Sequence, residues 1–413
     1  MLKRVLFALI AITAMLDTAQ GRNTKWIHLS SRTGDLPVPW QGKEQTASLI
    51  LDVDNDGVND FVLTERTAAP SVVLYRRDRS GWTRYVIEPE PLHIEAGGAV
   101  KDLDGDGDLD IVFGGDYKSN QVWWWENPFV GKREQGTGNR KSEDPFARPW
   151  RRHLVKNSGA PKHHDEMFGD FDGDGKEELV FWNQEAHALL MARIPDDPRH
   201  AEGWPISEIY SYSADSEPQQ RGKPAPFKSV NEHEGLAKAD IDGDGKLDIV
   251  GGGRWFKHLG AANFAVNIID AHYAYSRAAA GQLKKGGRPE VVLVVGDGEG
   301  PLIWYEWVKG TWVAHKLLEV TSGHSLQLAD FDGDGNLDIF CAEMRLGGGN
   351  PDSKIYILYG DGNGHFETTI VDRGFDLHES RVADLDGNGS LDILGKPYNG
   401  DVPRVDVWLS GEQ

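Results

Sequence analysis

One cysteine, Cys341, stands among 413 residues, which excludes an intramolecular disulfide framework. Beyond the N-terminus no apolar run approaches the ~18–20 residues that a spanning helix needs, so no membrane span is expected. Basic clusters are also missing: 44 Lys and Arg face 65 Asp and Glu, for a net charge of −21. With no patch to displace phosphate counterions, a nucleic-acid partner is excluded. The chain has no G-x-S-x-G elbow and no H-E-x-x-H helix. NEHEG (231–235) sets acids beside a histidine but lacks the helical i, i+4 pair. GDGEG (296–300) and LGGGNPD (346–352) are glycine-rich but open no helix, and read as structural loops rather than phosphate cradles.

The chain opens with MLKRVLFALIAITAMLDTAQG (1–21), in which Lys3 and Arg4 precede an apolar run that ends in small residues. This predicts a secretory signal and a secreted or periplasmic protein. An exported chain without disulfides needs another staple, and bound Ca2+ fits the abundance of clustered carboxylates. Most of the 14 tryptophans are expected to pack the core, although exposed ones serve as sugar-stacking platforms in some proteins.

The carboxylates recur in register. DVDNDGVND (52–60), DLDGDGDLD (102–110), DFDGDGKEE (170–178), DIDGDGKLD (240–248), DFDGDGNLD (330–338) and DLDGNGSLD (384–392) are six copies of one loop. Oxygens at positions one, three and five can converge on a hard cation, and the glycine at position six permits the sharp turn. An acid closes each loop at position nine. The expected ligands are Asp52, Asp54, Asp56 and Asp60; Asp102, Asp104, Asp106 and Asp110; and Asp170, Asp172, Asp174 and Glu178. In the second half of the chain they are Asp240, Asp242, Asp244 and Asp248; Asp330, Asp332, Asp334 and Asp338; and Asp384, Asp386, Asn388 and Asp392. An EF-hand loop is flanked by helices, whereas these loops are flanked by β-rich runs such as FVL, IVF and IFC.

Loop starts at 52, 102, 170, 240, 330 and 384 leave one double-length gap, so a seventh, degenerate copy is expected at AAAGQLKKGGRPEVVLVV (278–295). There Lys284, Lys285 and Arg288 replace acids, and no Ca2+ should bind. Four strands per repeat and seven repeats predict an all-β fold, a seven-bladed β-propeller spanning 22–413 as one domain. The last repeat ends after RVDVWLS (404–410). The strand TKWIHLSS (24–31) is therefore expected to complete that blade and remove its edge. These loops resemble the FG-GAP/VCBS repeats of calcium-binding propeller blades, a likeness that implies a scaffold and leaves function open.

A second pattern lies upstream of the loops. His93, His163, His164, His233, His324 and His378 each stand six to nine residues before a loop start. Five or six extended residues span roughly 16–20 Å. The histidines should therefore ring the funnel mouth opposite the acidic loops. Glu166 and Glu234 flank them as candidate acid–base groups. Arg254, Trp255, Glu343, Arg345, Lys396 and Tyr398, at the ends of second strands, are candidate substrate contacts along with His93 and His163. Neutral imidazoles beside carboxylates also suit one Zn2+ or Mn2+ in the central pocket. The bland alternative is that each histidine bonds a carbonyl of the next blade.

The segments 163–184, 231–250 and 323–340 resemble the propeller domain of the aldos-2-ulose (1,5-anhydrofructose) dehydratases. That resemblance implies a carbohydrate-active lyase or dehydratase, performing β-elimination on a keto-sugar or uronate in a cationic, histidine-lined funnel. His164, His233, His324 and His378 would form its inner ring. Unlike that enzyme, the chain leaves no room for cupin domains after the propeller. The alternative from another class is a non-enzymatic, calcium-stabilised propeller that binds glycans or proteins. A glycosidase pair also stays open, because carboxylate separation cannot be read from sequence.

Overall fold

The computed structural model describes residues 24–129, 144–213, 218, 220–221 and 232–411. The expected signal segment, 1–21, and Asn231 of NEHEG lie outside them. The described residues form seven four-stranded sheets, each strand hydrogen-bonded to the next in antiparallel register. The apolar runs after the acidic loops form the second strands, including Asp60–Glu65, Glu178–Asn183 and Asp338–Ala342, and every residue in these is buried. They are buried on both faces because blades pack against blades. Phe61 and Tyr75 of the first blade, for example, share a core with Leu394 and Val407 of the last. The innermost strands begin at Gln45, Ala99, His163, Leu236, Ser276, Ser325 and Arg381, and contacts between neighbours close the ring. This is a seven-bladed propeller, with almost no helix among the described residues.

The N-terminal strand closes it. Lys25–Ser30 pairs antiparallel with Asp406–Gly411, from Lys25 opposite Gly411 to Ser30 opposite Asp406. His28 stacks on Trp408 with ring centroids 4.6 Å apart.

The degenerate copy forms the fifth blade, with inner strand Ser276–Gly281 and second strand Glu290–Val295. Its one retained acid explains a feature shared by all seven blades. Glu290 accepts the N–H of Leu283 at 2.8 Å, as Asp60 accepts Val53 at 2.9 Å and Asp338 accepts Phe331 at 2.7 Å. In five acidic loops the other oxygen takes an N–H from the third strand or its end: Arg77 to Asp60 at 2.6 Å, Gly360 to Asp338 at 2.8 Å. The position-nine acid therefore ties its loop to the sheet with or without a cation. Burial pushes Asp60 and Asp338 up to about 7 and Asp110 to about 8.

Oxygens of positions one, three and nine converge in triads that could hold a metal ion, such as Asp52, Asp54 and Asp60 or Asp170, Asp172 and Glu178. Asp56, Asp174 and Asp334 stand outside those triads, and each accepts the N–H two residues further on. Such Asx turns are a local competitor for the carboxylate.

Candidate functional site

The residue six places before each loop start lies at the head of an innermost strand. In the third, fourth, sixth and seventh blades it is His164, Glu234, His324 and His378; in the second it is Ala96. All five line one axial cavity of about 470 Å3 at the mouth opposite the acidic loops. Arg66, Tyr117, Lys162, Gln184, Glu232, Tyr275, Asp297 and Tyr398 are also in its wall.

Strand alternation decides which histidines belong. His163 and His233 stand seven places before their loops, and a one-residue offset turns a side chain to the other face. His163 is fully buried between blades, its Nε2 2.9 Å from Lys156 Nζ. Burial, reinforced by that ammonium, lowers it to about 3. His233 stacks face to face on Tyr212 at 3.6 Å and edge-on to Trp182. Neither lines the cavity. His93, with φ +56°, faces Asp116 at 3.7 Å outside the lining.

His164 is held from both sides. Its Nδ1 lies 2.7 Å from Asp165 Oδ2 and its Nε2 3.5 Å from Glu234 Oε1. Burial opposes the cation, but the Glu234 and Asp165 carboxylates together outweigh it and raise His164 to about 9. His378 is the opposite case: burial and Lys396 hold it well below the ordinary imidazole value. Its ring sits between His324 at 4.3 Å and Tyr398 at 4.8 Å. Lys396 Nζ lies 3.2 Å from His378 Nδ1. Glu234 is oriented by Gln184, whose Nε2 donates to Oε1 at 3.2 Å, while Oε2 is buried without a hydrogen bond. Asp297 accepts the Tyr275 hydroxyl at 2.6 Å and lies 3.7 Å from His324 Nε2.

Several expected contacts have other duties. Lys396 is fully buried and donates to the carbonyls of Gln45, Thr46 and His378 at 2.8–3.0 Å, pinning the last blade to the first. Burial lowers it to about 7. Arg254 donates to the Gly252 carbonyl at 2.6 Å, and Trp255 belongs to the apolar core. Glu343 accepts the backbone N–H of Lys354 in its own blade and that of Thr321 at the end of the preceding blade. Arg345 donates to the carbonyls of Gly349 and Gly374. Glu166 is buried beneath the floor and lines a second cavity on the loop side, of about 450 Å3. Burial raises it well above the usual carboxylate range. A bulge between His164 and Glu166 sends the two side chains to opposite ends of the axis. Of the substrate-contact candidates, only Tyr398 lines the pocket, accepting Arg66 Nη1 at 2.8 Å.

Sequence reading missed Arg66, Tyr117, Lys162, Tyr275 and Asp297. Asp297 lies in the GDGEG loop, and Tyr275 precedes the degenerate copy; counting six places back from the start of that copy reaches Ser276, one residue away from it. The pocket is also less cationic than expected. Glu95, Glu185, Glu232, Glu234 and Asp297 face Arg66, Lys162 and the His164 cation. Donors that suit a transition ion surround His324: its Nε2 lies 3.8 Å from the orphaned Glu234 Oε2 and 3.7 Å from Asp297 Oδ1.

The FG-GAP-like repeat family matches residues 102–181, 286–341 and 330–395. No curated protein matches. Among solved structures, BBS1N in complex with ARL6DN aligns with TM-score 0.51 and 9% identity, covering 94% of this chain and 98% of that one. The V. cholerae biofilm matrix protein Bap1 aligns at 0.48 and 11%, covering 89% and 88%. The exotype rhamnogalacturonan lyase YesX aligns at 0.44 and 13%, covering 91% and 75%. Such likenesses are of fold alone. The chain is a seven-bladed β-propeller carrying FG-GAP-like repeats.

Proposed function

We propose that the chain is an exported carbohydrate-active lyase or dehydratase that performs β-elimination on a keto-sugar in its axial pocket. The observation that carries this is the convergence of His164, His324, His378 and Glu234 on one cavity. Glu234, held by Gln184 with Oε2 unengaged, takes the proton α to the carbonyl. The electrons of that C–H bond form the alkene as the β C–O bond breaks. His164, cationic and fixed through Nδ1 by Asp165, donates from Nε2 to the departing oxygen, which leaves protonated. His378, held neutral, donates from the ring nitrogen that faces the pocket to the enolate oxygen. A Zn2+ or Mn2+ held by His324 and Asp297 would supply Lewis acidity to that carbonyl. Five lining carboxylates favour a neutral keto-sugar over a uronate. The acidic loops serve as Ca2+ staples.

The test is ultraviolet absorbance of the conjugated alkene formed from keto-sugars and, in parallel, from uronate oligosaccharides. Glu234→Gln is expected to lose roughly 10²–10⁴-fold in rate without loss of melting temperature. Saturable sugar binding with no alkene would instead support the glycan-binding propeller.

A further inference from the structure

Five places before each loop start, one step below the histidine ring, the innermost strands meet at the axis. This residue is small in four blades (Ala47, Gly97, Gly235, Ser325) and charged in three, as Asp165, Glu379 and Arg277. Arg277 comes from the fifth blade, counting back from Glu290 at position nine. The blade that lost its acidic loop thus supplies the one cation at this register position, while Arg381, two residues after Glu379, reaches the other oxygen of Glu379 at 3.1 Å. Its Nη2 reaches Asp165 Oδ1 at 2.5 Å and Glu379 Oε1 at 2.8 Å, bridging the third and seventh blades.

Each carboxylate stands behind a pocket histidine. The other oxygen of Asp165 holds His164 Nδ1 at 2.7 Å and accepts the Gly235 N–H at 2.8 Å. Glu379 Oε1 lies 3.7 Å from His324 Nδ1. Asp165 and Glu379 both adopt left-handed backbone, φ +57° and +50°. Non-glycine residues keep such conformations where their surroundings over-determine them. Buried ion pairs contribute little net stability, since desolvation offsets attraction. A stability role alone therefore explains this bridge poorly.

We propose that Arg277 is a positioning residue that locks Asp165 and Glu379 across the axis and so fixes the orientation and Nδ1 proton of His164 and the placement of His324. Catalysis by these histidines rests on the function proposed above; the clamp does not.

The test uses the full-length chain as wild type, Arg277→Met and Arg277→Lys. Long-range 1H–15N spectra of the histidine rings report tautomer, titration and Nδ1–H exchange. Wild type should show a protected His164 Nδ1–H. Arg277→Met should abolish that protection, move the His164 and His324 ring signals, and lower kcat at least tenfold with KM within threefold. Arg277→Lys should restore part of each. Circular dichroism checks the fold; if the methionine variant does not fold, Arg277→Gln takes its place. Unchanged His164 and His324 signals in a folded variant would overturn the clamp, as would an unprotected Nδ1–H in wild type. Altered signals in a protein without turnover on any sugar would leave the clamp standing and remove the lyase reading.

Discussion

His163 and His164 are adjacent, yet one is held neutral by burial and Lys156 while the other is held cationic by Asp165 and Glu234. The His164 value of about 9 lies above its unfolded value near 6.5. Its pairing therefore stabilises the fold fully below pH ~6.5 and is lost as pH rises through about 9. Turnover should show an alkaline limb near pH 9 that disappears with the residual activity of His164→Gln. His163 acts at the other end. The unfolded chain gains a proton below pH ~6.5 that the folded one refuses until about 3, so melting temperature should fall across that acidic window. His233 was expected in the ring, but it stacks on Tyr212 outside the cavity lining. His233→Ala should lower stability by about 1–3 kcal/mol, read by denaturant unfolding, and leave turnover within a few-fold.

At the scale of elements, the innermost strand separates two chemistries by its length, the acidic loop at one end and the pocket residue at the other. The strand Lys25–Ser30 has a different task, covering the N–H and C=O row of Asp406–Gly411. Deleting residues 24–31 should expose that edge. The expected outcome is a lower melting temperature and concentration-dependent association in size-exclusion chromatography. A monomeric variant melting as wild type would show that the last blade is complete with three strands. Periodicity made these strands legible, since the loop-plus-apolar-run pattern identifies a blade even where the fifth has lost its acids.

For the whole molecule, a net charge of −21 is concentrated in loops whose acids repel one another. Each bound cation adds about 2.7 kcal/mol when free ligand is 100-fold above its dissociation constant. Chelation should therefore lower the melting temperature by several degrees, and Ca2+ in excess of chelator should restore it. Calorimetry that shows no shift on chelation would mean that the position-nine staples hold the loops unaided. Blade number, ring closure and the mouth that carries the pocket were all readable from spacing. Pocket charge was not, because Arg66, Lys162 and Asp297 lie on connections whose length varies between repeats.

The sequence alone determined the repeat, its degenerate seventh copy and the N-terminal closing strand, because each is a local pattern set by strand period and loop chemistry. Only tertiary structure decided the site. A shift of one residue separates His164 from His163 and Glu234 from His233, and the bulge at Asp165 sends Glu166 to the far side of the floor. The contact of Arg277 with Asp165 and Glu379 joins three blades distant in sequence. No local propensity encodes it, because it exists only once seven strands converge on one axis.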